Sequence, residues 1–231
     1  MPPVFNANFD RWKVFQLARA HNYLRHRETH RTLRRFLQSR FPGPFTVLDL
    51  GCGDAREMAR TLDYLPVTRY VGVDTSPELL AVAEKNLGRL RVLCSLREQD
   101  ALAFLCGRGA RVEVIWLGLF LHHFPRSLKR ELFTLARQRL RPGGCLLAHD
   151  PMLREDETRA SYLQRLARAC RREWRAIAPA DKTVLHRHWS RHGRQERFST
   201  LARLAHGAGF SRSEILYRDP QDFYALTGYF L

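Results

Sequence analysis

The feature that most constrains this chain is a series of short apolar runs, each followed by a helical pattern. The runs are FTVLDL (45–50), YVGV (70–73), RVLCS (91–95), VEVIWL (112–117) and CLLAH (145–149). Between them apolar residues recur at three- and four-residue steps over about 54–64, 77–88 and 127–140. Continuous apolar strands alternating with helices call for a parallel sheet covered on both faces. With 45% hydrophobic residues in 231, the chain can bury a full core, which excludes disorder as its main state. The longest apolar run, roughly 112–121, is interrupted by Glu113 and is too short to span a membrane. The first residues, MPPVFNANFDRW, lack a basic stretch followed by an apolar one, so no secretory signal is expected. The 5 cysteines are an odd number with no CxxC spacing. That argues against a disulfide framework or zinc knuckle and for a reducing cytoplasm.

The flanks differ from this centre. Phe9, Trp12, Phe15, Leu17, Tyr23, Leu24, Leu33, Phe36 and Leu37 recur at helical steps, and FPGP (41–44) stops the pattern. Residues 1–44 are therefore expected to form a helical cap, and 45–231 the main domain. Within it, residues 154–192 break the strand–helix alternation with a helical stripe (Tyr162, Leu163, Leu166, Ala167, Cys170) and a histidine-rich tail, which reads as an insertion after the fifth strand. Helical periodicity returns at about 196–206, and two strand-like runs, 213–217 and 223–231, close the chain. The net charge of +16 is concentrated at the ends: residues 1–45 carry 9 basic and 2 acidic side chains, 46–153 carry 15 and 12, and 154–231 carry 15 and 9. Of the basic residues 35 are Arg and only 4 are Lys, a bias that a GC-rich genome produces without selection for polyanion binding. The charge attracts anions all the same.

The chemistry concentrates where the first strand runs into DLGCGDA (49–55). Glycines at the carboxyl end of a parallel strand permit a tight turn and let a ligand approach where a Cβ would collide. Asp74 ends the second strand 23 residues after Gly51, where a carboxylate can accept hydrogen bonds from both hydroxyls of a ribose. Asp74 also begins a capping sequence, DTSPE. The two roles are compatible, because Ser76 can cap while Pro77 takes the first helical position. Asp100 follows the third strand in EQDA, placed to meet an adenine amino group.

In VLDLGCGDA, then YVGVD with SPELLAVAEKNL, then REQDA, FLHHF and LRPGGCLLAHD, the chain resembles Rossmann-like (class I) S-adenosylmethionine-dependent methyltransferases over about residues 45–152. The resemblance implies an α/β fold that is doubly wound, with a mostly parallel seven-stranded sheet and a C-terminal antiparallel hairpin, carrying the N-terminal helical cap and the insertion. It implies S-adenosyl-L-methionine as cofactor and S-adenosyl-L-homocysteine as product. Asp49, Gly51, Cys52 and Gly53 would surround the methionine portion, Asp74 and Thr75 the ribose, Asp100 and Ala101 the adenine. Leu117, Gly118 and Leu119 would line the fourth strand tip. Ala55 stands where many members have a third glycine, so its φ is expected to stay negative. Glu113 stands where an Asp is usual. The spacing is not the GxGxxG of dinucleotide binding, and no GxxxxGK[ST] is present.

A base is useful when the accepting nucleophile carries a proton. His122, His123, His149 and Asp150 follow the fourth and fifth strands and can serve, with helix-start packing for the His122/His123 pair and turn ordering for Asp150 as the structural alternatives. The pairs His26/His30 and His188/His192 have metal-compatible i, i+4 spacing but no third acidic ligand. They read as solvated surface histidines, so no metal is expected. Trp12, Tyr23, Phe120 and Trp189 are expected to line an aromatic pocket for a small-molecule acceptor, methylated on O, N or S. The alternative is an RNA or DNA substrate held by an arginine-rich rim, but the strand-four tip lacks [DNS]PP[FYW] and no ProCys nucleophile is placed there. A monomer or homodimer, without membrane attachment, is expected.

Overall fold

A computed structural model describes the backbone of residues 9–231 and the side chains from Lys13 onward. The apolar runs form β1 (Phe45–Leu50), β2 (Val67–Asp74), β3 (Leu93–Glu98), β4 (Val112–Gly118) and β5 (Leu140–Leu153). β6 (Glu196–Arg197), β7 (Arg212–Arg218) and β8 (Tyr224–Phe230) follow. The main sheet has the order β3-β2-β1-β4-β5-β8-β7. Its first five strands are parallel, and β8 is antiparallel to both β5 and β7. The seven expected strands are joined by an eighth, β6, which pairs in parallel with Met152 and Leu153. Two charged residues carry no periodicity, so this strand leaves no trace in the sequence.

β5 is longer than expected because it includes the LRPGG turn. Its register with β4 runs from Val112↔Leu140 to Val114↔Cys145, so four residues bulge opposite Glu113. A Cβ on Gly144 would lie 2.8 Å from the Glu113 carbonyl, which explains a glycine at that point of the bulge.

The helices are α1 (Phe9–Ala20), α2 (His26–Arg40), α3 (Arg56–Leu62), α4 (Pro77–Leu87), α5 (Ala101–Cys106), α6 (Arg126–Arg139), α7 (Arg159–Glu173), α8 (Pro179–His192) and α9 (Phe198–Gly207). One sheet face packs Leu33 and Leu37 of α2, Met58 and Leu62 of α3 and Leu87 of α4 against Val47, Tyr70 and Trp116. The opposite face packs α5, α6 and α9 against Leu48, Ile115 and Leu146. Each fully buried leucine contributes about 1.5–3 kcal/mol relative to exposure, which anchors the α2 stripe to the sheet. Ser76 caps α4 by accepting from the Leu79 amide, with Pro77 at the first position; Thr158 and Ser161 form a capping box on α7.

A third cluster joins Val14 and Ala18 of α1, Leu163 and Leu166 of α7, and Ile177 and Leu185 around α8. They pack onto Leu119, Leu153, Phe223 and Tyr224. α1, α7 and α8 thus close over the carboxyl ends of β4 and β5. The strand order reverses between β1 and β4, and in such sheets the crevice outside the carboxyl edge at that point receives the ligand. No helix among the described residues is long and apolar enough to cross a membrane.

Candidate active site

The loop after β1 is held in an unusual backbone. Gly51, Gly53 and Ala55 have φ of 72°, 52° and 49°. The negative φ expected at Ala55 is therefore wrong. Ala55 closes the turn with its N–H on the Cys52 carbonyl and precedes α3, so alanine accepts a left-handed conformation at a cost of roughly 1 kcal/mol. Asp54 fixes this loop: its carboxylate accepts from both Arg19 guanidinium nitrogens at 2.8 Å, and its carbonyl accepts from Asn86 of α4. The Arg19 and Asp54 side chains are 7% and 6% exposed, so α1 is latched to the glycine loop by a buried ion pair. Neither residue stands out in the sequence, where Arg19 is one of 35 arginines and Asp54 is hidden among the loop glycines.

Asp74 sits at the β2 tip with its carboxylate facing this loop. It accepts from Gly53 N at 2.8 Å and Ser76 N at 3.0 Å. Burial raises its pKa against the pull of these amides. Asp49 accepts from the Tyr70 hydroxyl at 2.6 Å, and burial lifts its pKa to about 7. Burial also pushes the Cys52 thiol well above its ordinary range. Thr75 is exposed and Ala101 buried. The Gln99 backbone N–H donates to the Asp74 carbonyl, which brings Asp100 beside that tip, where it caps α5 by accepting from Ala103 N. Asp49, Gly51, Cys52, Gly53, Asp74, Thr75, Asp100 and Ala101 thus lie along one carboxyl edge. A Cβ on Gly53 would meet nothing within 4 Å, so the loop is open there, as a cradle for an adenosyl ligand requires. Leu117 departs from expectation. It is fully buried in the core with α5 and α6, leaving Gly118 and Leu119 (φ 53°) at the tip of β4.

Of the proposed bases, His122, His123 and Asp150 are brought together. His122, in a single 3₁₀ turn (Leu121–His123), places Nδ1 2.6 Å from Asp150 Oδ1. Burial lowers the His122 pKa to about 3 and lifts that of Asp150 to about 7. Lys129 of α6, 1% exposed, donates to the Arg194 carbonyl and lies 3.7 Å from Glu196. Its charge opposes protonation of both His122 and Asp150. The His123 ring lies 4.0 Å from that of His122, and burial lowers its pKa well below the ordinary value.

The three aromatic residues with described side chains, Tyr23, Phe120 and Trp189, do not form one pocket. The Phe120 ring lies on Gly51, where a Cβ would be 2.3 Å from it, and edge-on to Phe124. Tyr23 stacks at 4.9 Å on Trp174, a residue sequence reasoning overlooked, and Trp189 packs edge-on to the same indole at 5.6 Å. The Trp12 side chain lies outside the described residues. A cavity of about 310 Å³ beside the stack is lined by Tyr23, Arg25, Trp174, Asp219, Gln221 and Tyr224, among others.

The expectation of solvated histidines fails for His26 and His30. His26 is 8% exposed; His30 is half-buried, with Nδ1 2.7 Å from the Thr61 hydroxyl and its ring against Trp116. α2 turns this face to the sheet, so its apolar stripe carries both rings inward. No group with metal-holding geometry occurs among the described residues.

A parallel order reversing between β1 and β4, a left-handed glycine loop and a carboxylate at the β2 tip define the class. In fold and site the chain is of the Rossmann-like (class I) S-adenosylmethionine-dependent methyltransferase type, and residues 47–144 match the family model of a methyltransferase domain. Among individual relatives, it is 31% identical over 168 residues to trans-aconitate 2-methyltransferase of Azoarcus sp. (strain BH72), covering 68% of this chain and 60% of that protein. The plantazolicin methyltransferase BpumL in complex with S-adenosylhomocysteine superposes with a TM-score of 0.70 at 13% identity, covering 98% of this chain and 91% of that one. Human N-acetylserotonin methyltransferase in complex with S-adenosylmethionine superposes with a TM-score of 0.66 at 16% identity, covering 98% and 57%.

Proposed function

We propose that this protein transfers a methyl group from S-adenosylmethionine to a hydroxyl of a small molecule, with the His122–Asp150 pair taking the proton. The observation that carries this reading is that pair, 2.6 Å apart beside the tip of β4 and under the helical cap. When bound, S-adenosylmethionine would supply a sulfonium-activated methyl: the accepting oxygen's electron pair forms the new C–O bond while the S–C pair returns to sulfur, giving S-adenosylhomocysteine. Asp49, Gly51, Cys52 and Gly53 would cradle the methionine portion, Asp74 and Thr75 the ribose, Asp100 and Ala101 the adenine. Each Asp74 oxygen accepts one backbone N–H and retains acceptor capacity for a ribose hydroxyl.

With Asp150 ionised, His122 Nδ1–H donates to Oδ1 and the lone pair stands on Nε2, ready for the acceptor's proton. Asp150 then stabilises the imidazolium. A carboxylate acceptor has no proton to lose and makes no use of such a pair, which is why a hydroxyl is favoured over the carboxylate that the aconitate relative's name denotes. A small acceptor is supported by where the arginines go. Arg19 is spent on Asp54, Arg165 on Glu157, Arg34 on the Arg60 and Asp63 carbonyls, and Arg159 on carbonyls at 189, 190 and 193. Those arginines are not presented to a polyanion.

Calorimetry with S-adenosylmethionine tests the cofactor, and methyl transfer to neutral phenols tests the acceptor. Turnover should fall tenfold per pH unit below about 7, because a protonated Asp150 donates to Nδ1 and leaves Nε2 carrying the hydrogen. Failure to bind the cofactor sinks the reading.

A further inference from the structure

The reaction just proposed leaves a second polar group unused. On the side of β5 opposite Asp150, both ring nitrogens of His149, both of His26 and the hydroxyl of Thr29 are buried without a hydrogen-bond partner among the described residues. His149 and Thr29 are 0% exposed and His26 8%. Native interiors satisfy the great majority of buried polar atoms, and an orphaned one costs about 1–3 kcal/mol. Four of the five atoms belong to two neighbouring rings and the fifth lies three residues from His26 on α2, a group that the fold tolerates for a reason other than stability.

Their position gives the reason. The His26 and His149 rings are 5.5 Å apart, with His30 5.8 Å from His26. Arg19, latched to the glycine loop, is near enough for its charge to oppose protonation of His26 and His30; His122 is near enough to oppose that of His149. The cluster is thus within electrostatic reach of both the glycine-loop latch and His122, and His149 pairs with Gly118 at the tip of β4. Its walls are aromatic: Phe15 packs edge-on to His26, Trp116 against His30, and Tyr224 lies 5.8 Å from His149. Tyr224 is also part of the lining of the 310 Å³ cavity.

We propose that His26, Thr29 and His149 form the recognition subsite for an uncharged polar group of the methyl acceptor, such as an amide or ketone on an aromatic ring. Burial holds His149 and His30 near 3 and His26 well below its ordinary value, so the rings are neutral at pH 7. Each neutral imidazole offers one donor and one acceptor, and the hydroxyl offers both. That set matches an uncharged group with lone pairs and hydrogens close together. It offers a tricarboxylate no cation beyond Arg19, which Asp54 already neutralises.

The subsite rests on the proposed methyl transfer, and the experiment separates the two. His149→Phe and His26→Phe are compared with wild type by S-adenosylhomocysteine calorimetry, thermal unfolding and kinetics with 4-hydroxybenzamide, 4-hydroxyacetophenone and trans-aconitate. The expected result is S-adenosylhomocysteine affinity within twofold of wild type and a melting temperature equal to or above it. KM for the neutral phenols should rise at least tenfold, with kcat changed less. The proposal is overturned if KM is unmoved, if both variants melt well below wild type, or if wild type methylates trans-aconitate and neither neutral phenol. It is likewise overturned if wild type binds the cofactor and methylates none of the three. If wild type binds no cofactor, the methyl-transfer reading itself fails and takes the subsite with it.

Discussion

His149 and Asp150 are neighbours on β5 that point to opposite faces of the sheet, and their surroundings differ in kind. The Asp150 side is a connected chain: His122 on the carboxylate, Lys129 within electrostatic reach, Glu196 beside Lys129, and Arg126 bidentate on Glu196 at 2.9–3.0 Å. On the His149 side the rings touch other rings, and the nitrogens of His26 and His149 have no hydrogen-bond partner among the described residues. A linked network sets a proton affinity, as proton transfer demands. An unlinked set of donors and acceptors is ready for something that arrives from outside. One strand thus carries two chemically distinct walls, one on each face of the sheet, because alternation sends consecutive residues to opposite faces.

The strongest way to break the connected wall is Asp150→Asn. Turnover should fall 10²–10⁴-fold, the usual contribution of a positioned base, while calorimetric cofactor affinity stays unchanged. Unaltered turnover would leave the pair a packing feature. Next in size is Arg19→Ala, which strips the partner from a buried carboxylate at the edge of the histidine wall. Removing one member of a buried pair costs about 3–5 kcal/mol, measurable by urea unfolding. Asp74→Ala touches neither wall and should weaken S-adenosylmethionine binding by about 1–3 kcal/mol in calorimetry, with no shift in the pH–rate profile.

Acid should divide the two sides more gently. His26, His30 and His149 have folded pKa values far below the unfolded 6.5, so the unfolded chain binds the extra protons. Stability is full above about 6.5 and is lost as pH falls toward about 3, by about 1.4 kcal/mol per pH unit for each group fully engaged. Arg19, Asp54, Thr61, Trp116, Tyr224 and His122 surround these rings, and the cations among them deepen the effect. Unfolding curves at several pH values should show a shallower loss for His149→Phe. The smallest effect belongs to Lys129→Met. Removing the cation raises the proton affinity of Asp150 and His122 together, so the acid limb of the rate profile should move to higher pH without loss of cofactor affinity.

Much of this architecture could be read from the chain alone. The apolar runs marked the parallel strands because a strand buried on both faces has no room for polar alternation, and the glycine loop with Asp74 marked the ligand edge. What escaped were contacts across long sequence separations. Arg19 meets Asp54 35 residues away, and Lys129 approaches Asp150 only because α6 lies under β5. His26 was misjudged because its i, i+4 pairing with His30 looks the same on an exposed face as on a buried one; only the sheet behind Leu33 and Leu37 decides. The aromatic pocket failed for a related reason. Tyr23 and Trp189 are organised by Trp174, whereas Phe120 belongs to the glycine loop.

The resting place of the Phe120 ring on Gly51 bears on how such a chain can diverge. Position 51 is kept free of a side chain twice over, by its left-handed backbone and by its neighbour's bulk, so of the two positions only 120 can change. A lineage that shrinks residue 120 gains a wider mouth beside the loop and a broader diet of substrates, yet the backbone still forbids it to refill the space from position 51. Diversification at this entrance therefore runs through the phenylalanine, with the glycine as its fixed partner.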